Sequence, residues 1–70
     1  MGIMIRPGEG AAAKHELWCF IAAFPVNMVR EKDDVTFYFL PAGRENEAEM
    51  FKDMVFNEYL GECSLEDLMS

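Results

Sequence analysis

The sequence has few basic residues. Six lysines and arginines stand against thirteen aspartates and glutamates, which gives a formal net charge of −7. Direct binding of nucleic acid requires clustered Lys and Arg to neutralise phosphates, so the composition argues against that class. Hydrophobic residues nevertheless make up 51% of the 70 residues, too many for a disordered acidic tail. We therefore expect one small folded domain over 1–70, whose limited core a partner subunit would help to stabilise.

Cysteines and long apolar stretches are also scarce. The chain has only Cys19 and Cys63, whereas small secreted scaffolds usually carry about four to eight cysteines. The longest apolar stretch, residues 17–26, is about half as long as a membrane-spanning helix, and the N-terminal stretch stops at Pro7. We therefore expect a cytoplasmic protein with no membrane partner. Because Cys19 has aromatic neighbours on both sides, we expect a buried, unreactive thiol.

The first half of the chain contains one clear turn and one ambiguous segment. Alternating Ile3 and Ile5 permit a short first strand, and residues 7–10 predict a turn, so that 1–10 is a candidate flexible segment. In residues 11–24, three alanines and apolar spacings of 3, 4 and 7 slightly favour a helix. The aromatic run inside it is also typical of a buried strand.

The second half is predicted to contain a hairpin and a helix. Two β-prone runs around a charged loop predict a β-hairpin over about 26–40. Asn46 as N-cap and Gly61 as terminator predict a helix over about 46–60. At helical periodicity the core face of this helix would contain Ala48, Phe51, Val55 and Tyr59, extended by Met50 and Met54. The fold class is therefore α+β in βαββα order, or a strand meander with one helix if 11–24 is extended.

The negative charge is concentrated in the C-terminal part of the sequence. Residues 1–44 hold five basic and five acidic side chains, whereas 45–70 hold eight acidic side chains and Lys52. On the predicted helix, carboxylates recur at i, i+4 and i+8, namely Glu45, Glu49 and Asp53, and Phe56 and Leu60 lie on the same side. Residues 62–70 form an acidic tail. Such a face is either simply solvated or a recognition surface for a basic groove with an apolar socket. The candidate partner-binding residues are Glu45, Glu49, Asp53, Phe56, Leu60, Glu62, Glu66 and Asp67.

Two function hypotheses follow from this charge distribution. The first is a small acidic protein-binding module, an inhibitor or adaptor that occupies a basic surface, such as a nucleic-acid-binding surface, of a host macromolecule. DNA mimicry would be partial, because carboxylates about 6 Å apart along a helix are sparser than phosphates about 3.4 Å apart on one strand. In size, acidity and predicted elements the chain is similar to many phage-encoded inhibitors of host enzymes. The alternative is a homodimeric module that buries excess apolar surface against itself.

Candidate catalytic and metal-binding residues are few. His15 and Cys19 would be i, i+4 neighbours on a helix, but a catalytic thiolate requires an electropositive pocket rather than aromatic neighbours. Zinc requires four ligands, and His15, Cys19, Cys63 and a carboxylate follow no recognised spacing. The glycines at 8 and 10 lack the Lys and Ser/Thr of a phosphate-binding loop. We therefore expect neither enzymatic activity nor a cofactor or metal.

Overall fold

A four-stranded antiparallel sheet in the order β2-β3-β1-β4 forms the framework of the protein in the computed structural model, which describes residues 1–69. The elements in chain order are β1 (Gly2–Arg6), α1 (Ala11–Ala23), β2 (Asn27–Lys32), β3 (Val35–Phe39), a 3-10 helix (Glu45–Asp53), β4 (Glu58–Cys63) and α2 (Leu65–Met69). The predicted α+β class is confirmed, and the predicted order is roughly matched. Within the described residues, no helix combines the length and the apolar character needed to cross a membrane.

The first strand lies in the middle of the sheet. β1 pairs with β3, with Ile3 opposite Tyr38, and with β4, with Gly2 opposite Cys63. Because both β1 and β2 are antiparallel to β3, they run parallel to each other with β3 between them, and β1-α1-β2 is a split βαβ unit. The segment considered as flexible therefore contains one of the two inner strands of the sheet.

The hydrophobic core lies between one face of the sheet and two helices. Ile3 and Ile5 of β1 are fully buried beneath α1 and the 3-10 helix. The ring of Phe51 lies 5.3 Å from that of Phe20 and 5.4 Å from that of Phe24, which joins the two helices. Each such side chain contributes roughly 1.5–3 kcal/mol by leaving water. The helix favoured for 11–24 is confirmed, and it ends before Pro25 at Phe24, whose backbone is extended.

The predicted hairpin over about 26–40 is confirmed, and its charged loop is a tight turn. β2 and β3 pair up to Lys32 opposite Val35, which leaves only Asp33 and Asp34 in the turn. Both turn residues have positive φ, 53° and 67°. A type I′ turn has both central residues in the left-handed conformation, and its twist matches the twist of the two strands. Asp tolerates this conformation better than most residues with a side chain.

The predicted helix over about 46–60 is corrected by the structure. Its first half is the 3-10 helix, and its last residues belong to β4, which pairs with the free edge of β1. An unpaired edge of β1 would leave backbone groups without partners, and this requirement outweighs the helical periodicity. Ala48 and Phe51 are buried as expected, whereas Val55 is 78% exposed. Gly61, expected to end the helix, lies inside β4 with φ of 133°, next to a break in the register.

A short helix follows β4 within the predicted acidic tail. The Ser64 hydroxyl accepts a hydrogen bond from the Asp67 backbone nitrogen, and the Asp67 carboxylate accepts one from the Ser64 nitrogen, each at 3.2 Å. This reciprocal pair is a capping box and starts α2. Leu68 of α2 is buried beside Cys63 and Gly2, on the sheet face opposite α1.

Candidate partner-binding surface

The predicted acidic stripe does not form on the 3-10 helix. With about three residues per turn, side chains four positions apart point roughly 120° away from each other. Glu45 is half-buried and its carboxylate accepts a hydrogen bond of 3.0 Å from the Gly43 nitrogen. Glu49 pairs with Lys52 at 3.5 Å, while Asp53 is exposed at the end of the helix. The three predicted residues therefore lie on different sides of this element.

The remaining predicted residues are spread over two further elements. Leu60 is half-buried and Glu62 is exposed in β4, while Glu66 and Asp67 are exposed in α2. Within residues 1–69, the carboxylates of Asp53, Glu62 and Glu66 take part in no ion pair. The uncompensated negative charge is therefore distributed over the 3-10 helix, β4 and α2.

The loop between the 3-10 helix and β4, residues 54–57, presents the most prominent apolar tip next to these carboxylates. At its tip Val55 is 78% exposed and Phe56 is 56% exposed. Asp53 precedes the loop, and Glu58 follows it in an ion pair of 2.8 Å with Arg6. An aromatic side chain exposed beside carboxylates was expected from the sequence, and the structure places Phe56 in such a position.

The backbone of the 54–57 loop is held by the carboxylate of Glu16 on α1. This carboxylate accepts hydrogen bonds from the backbone nitrogens of Val55 at 2.7 Å, Phe56 at 3.0 Å and Asn57 at 3.1 Å. Three successive N–H groups converging on one anion form an anion-binding concavity of the backbone, occupied here by a side chain of the same chain. Hydrogen bonds to a charged group are stronger than neutral ones, so the loop is firmly positioned.

Asn57 and Gly8 fix the loop from its other side. The buried Asn57 amide donates to the Ala13 carbonyl at 2.8 Å and to Glu16 at 3.1 Å, and its oxygen accepts from the Gly8 nitrogen at 2.8 Å. A Cβ at Gly8 would lie 1.9 Å from the Phe56 carbonyl oxygen, so only glycine permits this approach. The loop, the start of α1 and the turn after β1 are therefore joined in one network.

The electrostatics of this network favour an ionised Glu16. Partial burial raises the pKa of the Glu16 carboxyl, but the hydrogen bonds from Val55, Asn57 and Phe56 together outweigh it, so that the pKa lies below its ordinary value. Glu16 therefore remains charged at neutral pH, in the state that accepts all these hydrogen bonds.

A groove of about 250 Å³ runs beside the loop, between residues 6–8 and residues 55–58. Phe56 forms part of one wall, and the Arg6–Glu58 ion pair lies at the groove. Phe56 and the groove therefore belong to one continuous surface.

The outer side of α1 differs from what the sequence predicted. Trp18 is 69% exposed, and Cys19 is exposed rather than buried, because the neighbouring Leu17 and Phe20 take the positions that face the core. The sulfur of Cys19 lies 3.6 Å from Nε2 of the exposed His15. Cys63 is the buried thiol, and burial, together with the nearby Asp67, raises its pKa.

Sequence reasoning missed Glu16 and Asn57. The only available signal was a lone carboxylate within the apolar run of α1, which does not indicate a partner some forty residues further along the chain. Over residues 1–69, no three His, Cys, Asp or Glu side chains lie close enough together to hold a metal ion. Comparisons with protein-family models, with curated proteins and with solved structures find no match to this chain.

Proposed function

We propose that this chain is a protein-binding module, an inhibitor or adaptor, that inserts the tip of the 54–57 loop into an apolar socket on a partner with a basic surface. The observation that supports this is the exposed Phe56 on a backbone fixed by Glu16. Aromatic anchors supply much of the binding energy at protein interfaces. A loop that is already ordered loses little conformational entropy on binding.

The carboxylates around the loop suit a basic partner. Asp53 lies next to the tip, and Glu62 and Glu66 add negative potential from β4 and α2. Charges of this kind speed up association with a positive surface and disfavour acidic partners, including the phosphates of nucleic acid. The proposal involves neither catalysis nor a cofactor nor a membrane, and it places the protein in the cytoplasm, where both cysteines stay reduced.

Affinity capture from a host lysate tests the proposal with matched aromatic variants. We expect Phe56→Ala to lose the basic protein that the wild type retains at low salt. Trp18→Ala, which removes another exposed aromatic ring elsewhere, should retain it. Reversing Asp53 to Lys weakens capture most at low salt, because salt screens the interaction of exposed charges. Capture by Phe56→Ala equal to that of the wild type contradicts the proposal.

A second function, self-association, is favoured by the outer face of α1. This face consists of the exposed residues Ala11, Ala12, His15, Trp18, Cys19, Ala22 and Ala23. Apart from Lys14 and His15, the exposed residues of α1 are apolar, so the helix presents an unusually apolar surface to solvent, which favours its cover by other protein. We infer that a second copy of the chain covers this face. Sedimentation tests this: Trp18→Lys should remain a monomer under conditions in which the wild type dimerises, and equal dimerisation contradicts it.

A further inference from the structure

We propose that His15 and Cys19 form half of a zinc site, which a second copy of the chain completes with its own His15 and Cys19. Nε2 of His15 and Sγ of Cys19 lie 3.6 Å apart. With bonds of about 2.0–2.1 Å to nitrogen and about 2.3 Å to sulfur, two ligands of a tetrahedral zinc ion lie about 3.6 Å from each other. Without metal, the same separation suits a weak hydrogen bond, so the pair is already positioned for the ion.

The two ligands are accessible and lie on one side of α1. Positions i and i+4 of a helix are neighbours on its surface, and both side chains are exposed. Imidazole nitrogen and thiolate sulfur are the ligands that zinc prefers. Glu16, the acidic residue nearest in sequence, is engaged with the 54–57 loop and does not compete for the ion.

Residues 1–69 do not supply the other two ligands within one chain. The described residues hold no cluster of three potential ligands, and Cys63 is buried on the sheet face opposite α1. A second copy related by a two-fold axis presents the same pair to the same ion, since such an interface joins identical surfaces. The result is the Cys₂His₂ set typical of structural zinc sites.

The outer face of α1 permits this approach of two copies. The exposed alanines at both ends of the face leave space for a second α1 to approach the ion from the other side. Lys14 is the only side chain with a formal charge among the exposed positions of α1, whereas the excess negative charge of the chain lies in residues 45–70. On binding, each thiol releases a proton to solvent, so Zn²⁺ with two thiolates and two neutral imidazoles is neutral overall. A neutral metal centre suits a face with so little charge.

This inference rests on the proposed self-association through α1, and one experiment separates the two. Reduced protein is freed of metal with a chelator and titrated with zinc chloride, while sedimentation gives the mass and metal analysis gives the stoichiometry. We expect monomers to become dimers with one zinc ion per two chains. The emission of Trp18, the single tryptophan, should shift to shorter wavelength as the face is covered. Co²⁺ in place of zinc should give the visible absorption of a tetrahedral thiolate site.

Single-ligand variants complete the test. His15→Ala and Cys19→Ala replace exposed residues by the best helix former, so they should fold but lose zinc-dependent dimerisation. Cys63→Ala, which removes the other thiol, should keep it. One zinc ion per monomer, or no zinc binding, overturns the site. A dimer that persists in chelator and in Cys19→Ala leaves self-association standing without the zinc site, and a monomer under all conditions contradicts both.

Discussion

Glu16 on α1 accepts a hydrogen bond of 2.7 Å from the backbone nitrogen of Val55, at the tip of a loop far along the chain. This contact and its two neighbours attach the exposed apolar tip to the helix. The position and stability of the proposed binding loop therefore depend on one carboxylate of α1.

Replacing Glu16 by Gln should destabilise the fold. The amide carries no charge and accepts fewer hydrogen bonds, so we expect a loss of about 2 kcal/mol at neutral pH, the usual scale for hydrogen bonds to an ionised group. Urea denaturation measures this loss. Glu9→Gln, an exposed carboxylate of the preceding turn, serves as the control and should change little. Equal unfolding free energies for the two variants would show that the loop is held by other contacts.

The same carboxylate gives stability a defined pH dependence. Because the pKa of Glu16 is lower in the folded protein than in the unfolded chain, its contribution is complete above the unfolded value of about 4.3. The contribution is lost as the pH falls through the folded value. We therefore expect the difference between wild type and Glu16→Gln to be constant near neutrality and to shrink below about pH 4.3. A difference that grows on acidification would contradict this assignment.

Gly8→Ala should destabilise the protein more than Gly2→Ala. A Cβ at Gly8 meets the Phe56 carbonyl oxygen at 1.9 Å, a backbone atom that cannot move without displacing the loop. At Gly2 the contacts, at 2.7 and 2.8 Å, are with side-chain atoms of Leu68 and Cys63, which can shift more easily than a backbone carbonyl. We expect a cost of about 2–3 kcal/mol at Gly8. Thermal denaturation of both variants measures the order, and the reverse order would refute the close approach.

Tyr59→Phe should leave the free energy of unfolding unchanged or raise it by up to about 1 kcal/mol. The Tyr59 hydroxyl is buried and has no hydrogen-bond partner among residues 1–69, so its removal relieves a desolvation cost. Burial, with a smaller contribution from Glu62, also raises the pKa of this hydroxyl. Phe51→Ala, which empties a fully buried site, should cost about 3–5 kcal/mol in the same assay. A clear loss in Tyr59→Phe would reveal a hydrogen bond to the hydroxyl.

The two thiols should react at different rates in the native protein. Cys19 is exposed on α1, whereas Cys63 is buried and has a raised pKa, which lowers its thiolate fraction. We expect alkylation of Cys19 to be at least about tenfold faster, as measured by mass spectrometry of peptides from metal-free, reduced protein. Labelling in denaturant, where both should react alike, is the control. Equal native rates would place Cys63 at the surface.

Local chemistry made α1 and the hairpin predictable. Three alanines and helical spacing favoured the helix that ends at Phe24, and β-prone runs around an acidic turn predicted β2 and β3. Alternation also placed Thr36, Tyr38 and Leu40 on one face, which the structure buries. It did not show that this face, rather than the more apolar one with Val35, Phe37 and Phe39, points to the core.

Long-range pairing made β4 and the loop contacts unpredictable. Phe51, Val55 and Tyr59 have helical spacing, but the edge of β1 requires a strand partner, and no local pattern records that requirement. Part of the candidate site was nevertheless predicted: Phe56 is exposed beside carboxylates. The network of Glu16 and Asn57 that holds it depends on contacts formed only in the complete fold.

Pairing of β1 with β4 has a consequence for how the protein is synthesised. β1 emerges from the ribosome before β4, so its second edge stays unpaired until residues 58–63 have also emerged. A nascent chain that stalls before this point exposes an apolar strand edge, a template for aggregation. Because its contacts join distant parts of the chain, we expect the protein to fold slowly for its size and mainly after synthesis of β4.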